Sequence, residues 1–233
     1  AGLDPRRARR VLALVSIGFF ITALDFTIVN VAFRPIEADF GPDAASLLPW
    51  TLSGYSIAFA AGLLTAGRMA DAFGRKRAFL LGNVIFTAAS LLCGFAPSAA
   101  VLVVGRVIQA IGGAMIVPTA TALVLPEYPV EQRTHVFGIT TAMGSIAAGA
   151  GPVVGGVLTT HFGWEWVFLI NLPIGVVAIT VGARLLRESR DPDAARRPDF
   201  LGAALAVVSV GLLVLAIVEG EHWGWGSAST VAV

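Results

Sequence analysis

Apolar residues gather in long runs along this chain, and the charged residues collect between them. Seven runs approach the ~20 apolar residues that a helix needs to cross a ~30 Å hydrocarbon layer. They cover roughly 11–33, 47–66, 78–95, 100–125, 136–160, 167–186 and 200–219. Glycine and proline fall inside several of them, which membrane helices tolerate where neighbours satisfy the freed backbone groups. The first run is too long for a signal-peptide core and lacks a matching cleavage site, so it reads as a span. The chain opens Ala1-Gly2 without methionine, and a trimmed N-terminus is expected.

The cations between the runs set an orientation. With residues 1–10 in the cytoplasm, Arg6, Arg7, Arg9 and Arg10 lie inside, followed by Arg68, Arg75, Lys76 and Arg77, then Arg133, then Arg184, Arg187, Arg190, Arg196 and Arg197. Of the 16 cations only Arg34 falls outside, and Arg106 falls within a run. Such a bias places lysine and arginine on the cytoplasmic side. The same assignment puts Trp50, Trp164, Trp166, Trp223 and Trp225 at the outer ends of spans, where an indole finds both apolar chains and water. The charged stretch 187–199 reads as a cytoplasmic linker separating six spans from a seventh.

Composition agrees with the pattern: 56% of residues are hydrophobic and 13% charged, against about 25% charged in a soluble domain. The net charge of +1 gives no reason to expect nucleic acid as a partner. One cysteine, Cys93, rules out an internal disulfide, and no Cys/His spacing resembles a metal site. There is no phosphate loop and no nucleophile–base pair, so neither an enzyme nor a cofactor is expected.

Asp25 and Arg106 are the two ionisable residues well inside apolar runs. Such residues are costly in a bilayer and mark functional positions by default. At ~1.5 Å per residue both lie ~9 Å below the outer edge of a ~30 Å core, so the two charges can meet. The pair admits a purely structural role or a coupling one, in which moving the cation or exposing the site loads or unloads a proton. Among the remaining polar residues, Asn30, Tyr55 and Gln109 are candidates to line a cavity, because a polar side chain in a span needs a cavity or a partner.

Four segments resemble the major facilitator superfamily, and within it the fourteen-span drug:proton antiporters. Leu24-Asp25-Phe26-Thr27-Ile28-Val29-Asn30-Val31-Ala32 is similar to the drug-antiporter signature, which implies that Asp25 is the protonation site. Where the family continues Leu-Pro, this chain has Phe33-Arg34-Pro35, with a cation at the outer helix end. Gly67-Arg68-Met69-Ala70-Asp71-Ala72-Phe73-Gly74-Arg75-Lys76-Arg77 resembles the loop that latches the two transporter halves. There Asp71 is expected to cap or face a helix N-terminus and Arg75 to pair with an acid. A basic loop that merely sets topology would explain the cations but not the spaced glycines. Arg106-Val107-Ile108-Gln109-Ala110 resembles the motif whose arginine takes part in proton coupling, with Ala110 in place of the usual glycine. Gly149-Ala150-Gly151-Pro152-Val153-Val154-Gly155-Gly156 resembles the antiporter motif characteristic of exporters, and also fits generic small-residue helix packing. Trp164-Glu165-Trp166 through Pro173, and Asp199-Phe200-Leu201-Gly202, resemble the fourteen-span branch.

The resemblance implies an all-α integral membrane fold: residues 11–186 as a six-helix bundle of two inverted three-helix repeats, then a seventh span within 200–233. It implies a multi-pass protein of the cell membrane that exports drugs or other small amphipathic molecules in exchange for protons. A dedicated metabolite or antibiotic exporter, or less readily an uptake carrier, shares the scaffold. The expected partners are the small-molecule substrate, protons, the lipid bilayer and a C-terminal half absent from this sequence.

Overall fold

The computed structural model describes residues 4–190 and 200–228, and among them every regular element is helical. The helices are α1 (Pro5–Phe40), α2 (Trp50–Phe73), α3 (Arg75–Gly94), α4 (Ala99–Val124), α5 (Val130–His161), α6 (Trp166–Leu169), α7 (Asn171–Leu185) and α8 (Phe200–Trp223). Among the described residues five helical stretches are long and apolar enough to cross a membrane: α1, α3, α4 with the turn after it, α5, and α6–α7 together. α2 and α8 have 24 residues each, or ~36 Å at ~1.5 Å per residue. Most of the expected linker at 187–199 lies outside the described residues.

Helix ends depart from the apolar runs because polar chemistry sets them. α1 extends past 11–33 in both directions. It starts where Asp4 accepts the Arg6 N–H at 2.9 Å with Pro5 behind it, and stops at Gly41, whose φ of 80° suits a residue without Cβ. The sixth span is broken at Ile170. Pro173 has no N–H to offer the carbonyl four residues back, which favours an interruption there. The break makes Asn171 the first residue of α7.

α1 packs chiefly on α5, and α4 on α2 as well as α3. The α1–α5 and α2–α4 contacts correspond when helix one is matched with four and two with five, the pattern that two inverted three-helix repeats produce. Small residues permit the close approaches: a Cβ on Gly112 would stand 2.6 Å from the Phe86 nitrogen of α3, and one on Gly155 2.9 Å from the Ile28 side chain of α1. α8 lies against α2.

The buried side chains form two apolar clusters. One surrounds Ile28, Ile36, Leu102 and Phe168. The other surrounds Val15, Phe79, Phe86 and Ile116. Trp164 belongs to the first: it is 6% exposed and its indole donates to Asp39 at 3.1 Å. Trp164 lies in the turn between α5 and α6, and an acid near the end of α1 supplies the indole with the partner that water would have given.

Candidate functional site

Asp25 and Arg106 sit where the two apolar clusters meet, between Ile21 and Ile28 on α1 and between Leu102 and Ile116 on α4. Their side chains are 0% and 1% exposed, and Arg106 Nη1 donates to Asp25 Oδ2 at 2.5 Å. Burying two charges costs several kcal/mol per ion unless the remaining lone pairs and N–H groups are satisfied. Here α1, α2, α3, α4 and α7 all contribute. Gln109, one helical turn after Arg106, accepts from Nη1 at 2.6 Å and donates to Asp25 Oδ1 at 2.8 Å. Asn171 donates to the same Oδ1 at 2.9 Å. Ser90 accepts from Gln109 at 2.8 Å and from Asn171 at 3.2 Å, and donates to the Phe86 carbonyl at 2.8 Å. Arg106 Nε donates to the Thr51 carbonyl at 3.1 Å, and its guanidinium lies 4.0 Å above the Tyr55 ring. The cluster thus holds one negative and one positive charge in a shell of neutral donors and acceptors. It offers no reactive nucleophile. Among the described residues no group of three His, Cys, Asp or Glu is placed to hold a metal.

An apolar cavity of about 460 Å³ adjoins the cluster, walled by α1, α2, α4 and α5 and closed on one side by Val214 of α8. Tyr55 lines it, ringed by Phe26 and Phe59, and its buried hydroxyl has no hydrogen-bond partner. Gln109 faces the ion pair and is not on this wall. Asn30 is not on it either: its amide is exposed and bonds its own helix at Phe26 and Thr27. Sequence reasoning did not single out Ser90, Asn171 or the Thr51 carbonyl. The rule that selected Gln109, a polar side chain in a span needing a partner, applied equally to Asn171.

The expected latch loop is mostly helical: residues 67–73 end α2, Gly74 makes the turn and residues 75–77 start α3. Gly74 has φ 123°, and a Cβ there would stand 2.6 Å from Glu188. Asp71 pairs with Arg75 at 2.8 Å. The carboxylate at the N-terminus of α3 is Glu188, which accepts from the Lys76 and Arg77 nitrogens at 3.1 and 3.3 Å and lies 3.6 Å from Arg77 Nε. Lys76 Nζ donates to the Ala183 carbonyl at 2.7 Å, and the Arg75 nitrogen to the Ser189 carbonyl at 2.9 Å. Gly67 faces Pro118 of α4. In α5, Gly151 and Gly155 press on Thr27 and Ile28 of α1, the helix runs through Pro152, and Gly156 has open space around it.

The model of the Major Facilitator Superfamily matches residues 15–233. The chain belongs to this superfamily. Its members are transporters. The multidrug resistance protein Stp of Mycobacterium tuberculosis is 38% identical over 225 residues, covering 95% of this chain and 41% of that protein. The methylenomycin A resistance protein of Bacillus subtilis is 37% identical over 218 residues, covering 93% and 46%. The chain therefore spans less than half the length of these relatives. Among solved structures, the peptide transporter POT superposes with a TM-score of 0.69 at 17% identity, over 95% of this chain and 48% of that one, a likeness of fold alone.

Proposed function

We propose that this chain is the N-terminal half of a transporter that exports drugs or other small amphipathic molecules across the cell membrane in exchange for protons. The buried Asp25–Arg106 pair beside an apolar cavity is the observation that supports this reading most. A proton on Asp25 removes the charge that compensates Arg106. An uncompensated buried cation is strongly unfavourable, so the guanidinium must lean on its other acceptors, the Thr51 carbonyl and Gln109 Oε1. Those acceptors belong to α2 and α4, which also wall the cavity. Proton binding and cavity shape are thereby linked.

In this reading residues 1–10 are cytoplasmic, 11–186 form the N-terminal bundle, 187–199 are a cytoplasmic linker, and 200–233 begin an inserted helix pair. A second bundle, absent here, completes the substrate site near mid-membrane. The loop from Gly67 to Arg77 acts as the conformational latch. The relatives' names, multidrug resistance in one case and resistance to a single antibiotic in the other, support both a broad and a dedicated exporter. The test is uptake of a fluorescent substrate into inside-out vesicles bearing the full-length transporter, with the interior acidified. Accumulation that collapses on adding nigericin is expected. Accumulation indifferent to the pH gradient would overturn proton exchange.

A further inference from the structure

The α1 residues on the cavity wall, Phe19, Thr22, Ala23, Phe26 and Thr27, recur every three to four residues along one helix stripe. The stripe continues through Asn30 to Arg34, and Phe26, Asn30 and Arg34 are exposed while Val29 and Ala32 between them are 0% exposed. From Phe26 to Arg34 is ~12 Å along the axis. Arg34 is 90% exposed, and Glu37 approaches it only to 3.9 Å, beyond hydrogen-bond range. An exposed pair of this kind contributes little and leaves the guanidinium donors free. The nearby Asp39 is engaged by the Trp164 indole.

Among the described residues the cavity wall has hydroxyls as its polar side chains, from Thr22, Thr27, Tyr55 and Ser56, and no carboxylate. Asp25 offers no counter-charge to a substrate, because it is buried and both its oxygens are occupied. The Tyr55 ring already carries Arg106 against it, which offsets its attraction for a second cation. A lipophilic cation thus finds ring faces but no carboxylate on the described wall, and meets Arg34 at the end of the stripe. An aromatic anion stacks on the Phe26–Tyr55–Phe59 group, and its carboxylate or sulfonate fits the forked guanidinium donors.

We infer that the stripe Phe26–Asn30–Arg34 is the lane by which substrate leaves the cavity, and that Arg34 makes the transporter favour aromatic substrates bearing an anionic group over lipophilic cations. The inference rests on the export reading above. The test uses the full-length transporter in cells lacking their own efflux pumps, with three fluorescent probes: 8-anilinonaphthalene-1-sulfonate as anion, Nile red as neutral and ethidium as cation. Arg34→Glu is expected to lower export of the anion about tenfold and raise that of the cation, while the neutral probe changes little. Arg34→Lys should retain most anion export. Equal loss of all three probes in Arg34→Glu would assign Arg34 to contact with the other half and overturn the selectivity. So would a wild type that prefers ethidium and an Arg34→Glu variant with unchanged preference. If the wild type exports none of the probes, the export reading fails separately. Equilibrium dialysis of the sulfonate against purified wild type and Arg34→Glu then decides, with weaker binding to the variant expected and equal binding contradicting the inference.

Discussion

At the residue scale, the buried pair is held by shape as much as by charge. Arg106 uses Nε on Thr51, Nη1 on Asp25 and Gln109, and its flat face on Tyr55. A lysine keeps the charge but has neither the fork nor the face. Arg106→Lys is therefore expected to abolish uphill transport in vesicles while the protein still reaches the membrane. Asn171→Leu leaves the pair intact but strips a donor from Asp25 and from Ser90. It should destabilise by about 1–3 kcal/mol, whereas Asn30→Ala, at an exposed amide bonded to its own helix, should change stability by less than about 0.5 kcal/mol. Thermal unfolding in detergent separates the two, and equal shifts would contradict the assignment. Asp25 and Arg106 were legible in the sequence because a charge inside an apolar run is costly and needs a partner. Asn171 and Ser90 were not, because one neutral polar residue in a helix looks the same whether it faces a cluster or its own backbone.

At the element scale, helix existence followed from apolar length, while helix ends followed from Asp4, Gly41, Gly74 and the proline-linked break at Ile170. The partner of the α3 N-terminus shows the difference. Sequence reasoning looked to Asp71, four residues before Arg75 at the end of α2, and the carboxylate there is Glu188, brought round by the bundle. Glu188→Gln keeps the size and removes the charge that favours a helix N-terminus. Trypsin should then cut the full-length transporter after Arg75, Lys76 or Arg77 faster than in the wild type, and an unchanged rate would show the contact to be idle. The α5 glycines give a second contrast. Gly155→Leu should reduce the yield of monodisperse protein, because Ile28 occupies the space a side chain needs, while Gly156→Ala meets nothing within this half.

At the scale of the whole molecule, the distribution of lysine and arginine assigns sides that the packing alone does not. Cys93 is buried, so it adds little background to the labelling of introduced cysteines. A membrane-impermeant maleimide applied to intact cells is expected to reach a cysteine at Ser98 and not one at Ala78, and the opposite pattern would invert the proposed topology. The family and the bundle were legible because membrane spans and their loop motifs are written in consecutive residues. The cavity was not, since its wall is assembled from five helices spread along the chain. What joins the scales is the claim that one carboxylate links proton binding to export. The most direct measurement is substrate accumulation in inside-out vesicles bearing full-length Asp25→Asn transporter under an imposed acid-inside gradient, at matched protein level. The amide cannot change charge, so no accumulation above the level without a gradient is predicted, with substrate binding retained. Accumulation as in the wild type would contradict the account and leave Asp25–Arg106 a structural pair.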